Sequence, residues 1–298
     1  MPSILIESAQ ILAGNDLTKA HIVVEDGRIK SISKLRPPGT YDLKINADGL
    51  IALPGLIDAH VHLRDLDFSY KETFETGTQA AAAGGFTTVL DMPNTRPATT
   101  NSMAVAEKMS KAAGRLFSNV AFQGALVEDP SEMKRMVEKG AVAFKLYLNK
   151  ALETFDSSDK AKLRNALQGA KDANALVTVH AEDGTTIKKI QQRSQAQGRN
   201  SIRDFLNAHG PEIEVSAVRT ILNLSRKLAL PIHICHITIP AAVKLVRKFR
   251  HATCEATAHH LLLNHSVFEK QGTLATCVPP MRNDRQRRGL WQLFSRGE

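Results

Sequence analysis

The stretch PGLIDAHVHLRD, residues 54–65, marks the point at which the pattern of the chain changes. Before it, short runs alternate apolar and polar residues, with turn signals at Asp26-Gly27 and Asp48-Gly49. This alternation predicts strands. After it, short apolar runs alternate with longer helical stretches, which is typical of βα units around a parallel sheet. We therefore expect a small β unit over residues 1–52 and a second domain over residues 53–298.

Seven apolar runs predict the strands of the second domain, with helical stretches between them. These strands are expected at residues 56–63, 87–92, 119–126, 141–148, 176–181, 231–237 and 252–258. The succession predicts an α/β fold of the TIM-type (β/α)₈ barrel class, which typically needs about 250 residues. Residues 184–210 read as an inserted loop and helix, so the eighth strand is expected to be missing.

Composition excludes several classes of protein. The chain has 298 residues, of which 43% are hydrophobic and 23% charged, as in an ordered globular protein. The net charge of +9 is dispersed except in RNDRQRRG, residues 282–289, which we expect to be a solvated helix start. Aromatic residues make up 5% and no stacking platform is visible, which argues against nucleic acid. Three cysteines without a Cys-x-x-Cys pair, and no apolar run of spanning length, predict a cytoplasmic protein without membrane contact.

Histidines occupy the predicted carboxyl ends of three strands, where barrels of this class place their chemistry. His60 and His62 are two residues apart, so on a strand they share a face and can reach one ion. Taken alone, the pair could equally be half-buried strand histidines. His180 and His236 each end a further apolar strand. His233 is predicted to be structural, and at least one of His259 and His260 is predicted to pack or to support a metal ligand. The remaining histidines are predicted at surface or loop positions, namely His21, His209, His251 and His265.

Lys145 lies inside the apolar run AVAFKLYL. A buried, unpaired ammonium is expensive, so burial favours the neutral amine. One hypothesis is that Lys145 snorkels from an edge strand. The other is that its amine captures carbon dioxide and forms an anionic carbamate that bridges two metal ions. Nitrogen ligands together with an anionic bridge suit zinc.

The quoted segment resembles the opening metal motif of the dihydroorotases, within the cyclic amidohydrolases. The resemblance continues, in order and over nearly the whole chain, through YKETFETGTQAAAAGGFTTVLDMPNT, FKLYLN, VHAED, IHICHIT and CEATAHHLLL. HVHLRD followed by MPNT is more similar to dihydroorotase than to hydantoinase or allantoinase. The resemblance implies a (β/α)₈ barrel with a small β-sandwich built from both chain termini, to which residues 1–52 would contribute.

The resemblance also implies a site with two Zn²⁺ ions per chain. In it, His60 and His62 match the ligands of the first zinc, carboxylated Lys145 matches the bridge, and His180 and His236 match the ligands of the second zinc. Arg64 and Asn94 match the residues that hold the substrate carboxylate. The side chain of Arg64 shares the face of His62, and its planar fork suits bidentate carboxylate binding.

The implied reaction is the reversible cyclisation of N-carbamoyl-L-aspartate to L-dihydroorotate in pyrimidine biosynthesis. Both are small anionic molecules. The implied protein partners are a second copy of the chain, as a homodimer, and aspartate transcarbamoylase.

The sequence departs from the family pattern in two ways. The family's proton-shuttle aspartate, in a motif resembling SDHAPH, would lie beyond residue 298, so we expect this polypeptide to be feeble or inactive alone. A fragment of a longer enzyme, a natural truncation and a barrel completed by a partner chain all remain open. Val278 stands where the family usually has an asparagine that contacts the ring, and loss of that hydrogen bond costs about 0.5–1.5 kcal/mol.

Two other functions remain open. One is a hydantoinase or allantoinase-like enzyme, which keeps the metal site without needing Arg64 and Asn94. The other is a non-catalytic homologue that serves as a scaffold, which the missing strand favours and the intact histidine set disfavours. A mononuclear base deaminase is less favoured, because it would leave Lys145 without a role.

Overall fold

The computed structural model describes residues 2–152 and 155–297. The chain forms two compact units, Met1–Leu56 and Ile57–Glu298.

The first unit is a five-stranded sheet. Its strands are β1 (Ile4–Ala13), β2 (Asp16–Glu25), β3 (Arg28–Ser33), β4 (Leu43–Asn46) and β5 (Ile51–Ala52). β1 pairs antiparallel with β2 and parallel with β4 and β5, and β2 pairs antiparallel with β3. The turn between β2 and β3 has φ values of 51° at Asp26 and 74° at Gly27, the left-handed pair that a tight hairpin needs and an Asp-Gly dipeptide supplies.

The second unit contains a seven-stranded sheet with helices between its strands. The strands are β6 (Leu56–Val61), β7 (Phe86–Asp91), β8 (Asn119–Ala125), β9 (Ala141–Tyr147), β10 (Leu176–His180), β11 (Ile232–Ile234) and β12 (Ala252–Cys254). The helices are α1 (Phe74–Ala83), α2 (Ser102–Ala112), α3 (Pro130–Glu138), α4 (Lys160–Asp172), α5 (Gly184–Ala196), α6 (Ile202–Ala208), α7 (Pro211–Leu228), α8 (Pro240–Val246), α9 (Ala258–Leu262), α10 (Ser266–Gln271) and α11 (Asp284–Ser295). Two 3₁₀ helices span Leu66–Phe68 and Gly272–Ala275.

The seven strands lie side by side in chain order, from β6 to β12. Pairing is parallel from β7 through β12. Sequential parallel strands joined by helices are the pattern of a (β/α) barrel, and seven strands were predicted. No eighth strand joins this sheet within residues 2–152 and 155–297. The insertion at 184–210 forms two helices, α5 and α6, because each half begins with its own capping side chain.

The core of the second unit lies where α3, α4, α7 and α8 cover β9, β10 and β11. Strands buried on both faces explain why these segments read as continuous apolar runs. A polar layer crosses the sheet interior below the carboxyl edge. There, Thr178 donates to Gln123 at 2.7 Å and Gln123 donates to the carbonyl of Ala59 at 3.3 Å. These bonds link β10, β8 and β6 directly beneath the candidate site.

Arg282, which we predicted to be solvated, is buried, and so is His209, for which we predicted a surface or loop position. His209 is 4% exposed and Arg282, the first residue of the basic cluster, is 7% exposed. The Arg282 guanidinium donates to Thr238 Oγ1 at 2.7 Å, lies 3.2 Å from Glu214 Oε2, and also bonds the carbonyl of His209. The prediction of a solvated side chain is wrong for Arg282, because this carboxylate and these oxygens compensate its buried charge. His209 does lie in a turn, directly after α6, but its side chain is buried.

In the part of the chain that the structure describes, no helix has the length and apolar character needed to cross a bilayer.

Candidate metal centre

The carboxyl edge of the seven-stranded sheet gathers the predicted histidines. His60 lies near the end of β6 and His62 just beyond it. His180 is the last residue of β10, and His236 follows β11 by two residues. Because parallel strands end at a common edge, residues far apart in sequence meet there.

The four imidazoles form a continuous chain. Ring centroids lie 5.3 Å apart for His60 and His62, 5.1 Å for His60 and His236, and 4.6 Å for His180 and His236. The closest nitrogens are Nδ1 of His180 and Nε2 of His236, at 3.1 Å. The structure therefore brings together all four histidines that the sequence singled out.

Lys145 lies in β9 opposite Thr178 of β10, and it is 1% exposed. Its Nζ lies 2.9 Å from Cys235 Sγ and 5.4 Å from the centroid of the Tyr147 ring. Across residues 2–152 and 155–297, no carboxylate forms an ion pair with this amine. A buried lysine without a counter-ion is costly as an ammonium, and this one lies beside the imidazole group.

Although burial acts to lower it, the pKa of His60 is raised by hydrogen bonds to Cys235 and Glu255. On the other three imidazoles burial prevails and favours the neutral form. It lowers the pKa of His62 to about 3, with His60 adding to the effect. Burial also lowers the pKa of His180, and burial together with the neighbouring His180 lowers the pKa of His236 well below its usual range. Neutral imidazole is the form that binds metals. The donor set therefore fits a metal centre: three imidazoles for which burial favours the neutral form converge with His60 beside a buried amine that carbamate formation would make anionic.

Sequence reasoning missed the partners of His180. Its Nε2 donates to Glu182 Oε2 at 2.7 Å, and Nδ1 of His209 donates to Glu182 Oε1 at 2.8 Å. Although burial acts to raise it, these two bonds bring the pKa of Glu182 down to about 2. An ionised Glu182 accepts from Nε2–H of His180, which leaves Nδ1 with its lone pair on the side of His236.

Cys235 and Glu255 also belong to the site. His60 Nδ1 lies 2.5 Å from Glu255 Oε1, and His233 Nε2 lies 3.1 Å from Glu255 Oε2. Donor atoms of His60, Cys235 and Glu255 all lie within 4.8 Å of one another. The sequence positions of both residues could have indicated this. Cys235 directly precedes His236, and Glu255 directly follows β12, at the same edge of the sheet as the histidines.

Asn94 and Arg64 flank the centre. Asn94 follows β7, and its Oδ1 accepts from His62 Nδ1 at 2.7 Å, so Nδ2 of Asn94 is the amide group left for other contacts. Arg64 is the first of three consecutive residues with positive φ, at 59°, 42° and 51°. The second, Asp65, fixes this strained bend by accepting from the backbone of Leu66 at 2.6 Å and of Phe74 at 2.7 Å.

Arg64 and Asn94 line one cavity of about 320 Å³. Three more cationic side chains line it, namely Lys71, Arg96 and Lys150. No acidic residue lies among the lining residues that the structure describes. This composition suits an anionic group.

Comparison with known proteins identifies the family, since residues 51–275 match the amidohydrolase family. The chain belongs to the amidohydrolase family. Allantoinases from Escherichia coli O1:K1 / APEC and Salmonella paratyphi B are each 30% identical to it over 306 residues, covering 99% of this chain and 67% of the relative. The L-hydantoinase (dihydropyrimidinase) from Arthrobacter aurescens has a TM-score of 0.93 and 27% identity, covering 100% of this chain and 67% of that one.

This amidohydrolase thus spans about two thirds of the length of its relatives. The cyclic amidohydrolase prediction is confirmed at the level of the family and of the fold. The finer prediction of a dihydroorotase is not supported by these relatives, which are allantoinases and a hydantoinase. Their names favour the alternative that the sequence left open.

Proposed function

We propose that this chain carries the metal-binding part of a cyclic amidohydrolase of the allantoinase and hydantoinase type, which hydrolyses a ring amide C–N bond. One observation carries the proposal: four imidazoles, those of His60, His62, His180 and His236, converge beside buried Lys145 at the carboxyl edge of the sheet. The ligands we assign are these four histidines and Lys145, and the metal we assign is zinc.

Carboxylation of Lys145 is part of the proposal. The neutral amine adds to the carbon of carbon dioxide, an N–C bond forms, and a proton leaves the nitrogen. The product carries a negative charge and two oxygens where the structure has an amine without a carboxylate partner in the described residues. When bound, zinc ions would polarise the ring carbonyl and activate a water molecule.

The remaining side chains orient the donors. Glu182 holds His180 with Nδ1 towards His236, and Asn94 accepts from His62 Nδ1, which leaves Nε2 as the free nitrogen of His62. Partners of this kind fix the tautomer and the ring orientation of a metal ligand.

The Glu182→Gln variant should bind zinc about 10–100-fold more weakly, the usual cost of losing such an orienting partner. The amide cannot accept from both His180 and His209 as the carboxylate does. Zinc affinity is measured by competition with a chromophoric chelator. Glu132→Gln is the control, since its carboxylate lies on a different surface and accepts from the backbone of Ser102. Equal zinc affinity in the wild type and the Glu182→Gln variant would contradict a role of Glu182 in orienting His180.

A dihydroorotase activity is the second candidate, and the cationic cavity favours it. The cavity of about 320 Å³ is lined by four cationic side chains, those of Arg64, Lys71, Arg96 and Lys150. This lining suits a substrate carboxylate better than a neutral ring. Against it stand the relatives and Val278, which is 44% exposed and offers no hydrogen bond where dihydroorotases usually have asparagine.

A substrate panel tests the proposal. The chain is extended through the rest of its reading frame, where one exists, and loaded with zinc. It is then assayed with allantoin, hydantoin, dihydrouracil and L-dihydroorotate. We expect ring opening of a neutral cyclic amide to have the highest kcat/KM. Turnover of L-dihydroorotate alone would select the second candidate. Zinc binding by the extended chain with no turnover of any of the four substrates would contradict both candidate functions. A chain that binds no zinc would favour the non-catalytic scaffold.

The named relatives do not bear on a homodimer or on association with aspartate transcarbamoylase, and both stay predictions.

A further inference from the structure

A second cluster of metal-binding side chains lies outside the centre described above. It consists of His259, His260 and Cys277, and one donor atom of each lies within 4.8 Å of the others. The two histidines belong to α9, and Cys277 follows the 3₁₀ helix Gly272–Ala275.

The two imidazoles face a common point. The hydroxyl of Thr257 lies 2.7 Å from His260 Nδ1 and 3.1 Å from His259 Nε2. On its other side, His260 Nε2 lies 3.0 Å from the carbonyl oxygen of Pro279. Because a carbonyl oxygen only accepts, Nε2 carries the proton, and Nδ1 of the neutral ring keeps its lone pair. A metal-bound histidine characteristically donates its second ring N–H in this way.

Cys277 completes the donor set. It is half-buried, and its thiol lies 3.3 Å from the same Pro279 carbonyl, a weak contact that costs little to exchange for a metal bond. The neighbouring cation Arg282 lies 3.2 Å from the Glu214 carboxylate, so its charge is compensated rather than opposed to a metal.

We propose that His259, His260 and Cys277 form a separate metal site that takes one zinc ion. Imidazole nitrogen and thiolate sulfur are both ligands that zinc takes in proteins, and three protein ligands leave the fourth position open. Calcium and magnesium are excluded by chemistry, since they require oxygen ligands. The ion joins α9 to the segment beyond the 3₁₀ helix and fixes α10 between them. This assignment does not rest on the proposed function.

The test compares full-length wild-type chain with the variants Cys277→Ser, His259→Asn and Cys254→Ser. Cys254 lies in β12, is a free cysteine and belongs to neither donor cluster, so it is the matched control. Each protein is loaded with Zn²⁺ and its metal content measured. It is then loaded with Co²⁺ and the thiolate-to-cobalt charge-transfer band recorded.

We expect Cys277→Ser and His259→Asn each to bind one zinc ion fewer than wild type. Cys277→Ser should also lose part of the charge-transfer band, while any contribution from Cys235 persists. His259 is exposed, so its replacement leaves folding intact. Unchanged zinc content in both variants would overturn the site. Loss in Cys277→Ser alone would overturn the three-donor assignment.

Discussion

Replacing Lys145 with methionine should remove the metal. In the chain extended through the rest of its reading frame it should also lower kcat/KM by more than about 10³-fold, since losing one preorganised charge-stabilising group alone costs about 10²–10³-fold. Methionine has similar length and packs readily in a core. It takes away an amine that is 1% exposed and has no carboxylate partner within residues 2–152 and 155–297. The free energy of unfolding of the metal-free protein should therefore stay equal or rise.

Lys108→Met is the matched control. Lys108 is equally buried, at 1% exposed, but it pairs with Asp91 at 2.6 Å. Breaking such a pair leaves an uncompensated carboxylate and should lower the free energy of unfolding by about 3–5 kcal/mol. Metal content per folded molecule should remain that of wild type. Denaturant titration and metal analysis of both variants measure these effects, and full metal content in Lys145→Met would refute the bridging role.

Replacing Arg64 with methionine should separate the two candidate functions. If the substrate carries a carboxylate, kcat/KM should fall about 10–150-fold. This fall corresponds to the loss of a hydrogen bond to a charged group, which contributes about 1.5–3 kcal/mol. Turnover of a neutral hydantoin or allantoin should change little, because a neutral ring makes no ion pair with the guanidinium.

The control is Arg96→Met in the same cavity. Arg96 is exposed and lies over the Phe68 ring at 5.4 Å. Its replacement should therefore lower kcat/KM by less than about fivefold, as expected for the loss of an exposed ion pair. An Arg64→Met variant that hydrolyses L-dihydroorotate at the wild-type rate would exclude a carboxylate contact to Arg64.

Continuous apolar runs predicted β9, β10 and β11, because both faces of these strands are buried and this leaves a signal in the sequence itself. The convergence of His60, Lys145, His180 and His236 follows from the same signal, since the carboxyl ends of parallel strands share one edge.

What could not be predicted depends on contacts between distant segments. Asn-Ala-His-Gly reads as a loop, and only the packing of α6 on α5 places His209 against Glu182, just before α5. Arg282 belongs to a charged run, and only Glu214 shows why it is buried. Cys235 was considered as a disulfide partner alone, so its place beside Lys145 went unseen.

Glu255 accepts from His60, on the first strand of the seven-stranded sheet, and from His233, on the strand next to the last. The two borders of an open sheet are thus tethered through one carboxylate rather than through a backbone ladder. Because Glu255 directly follows β12, a displacement of β12 would reach the ring of His60 through a single hydrogen bond. The position of the His60 imidazole is therefore coupled to the position of the last strand of the sheet.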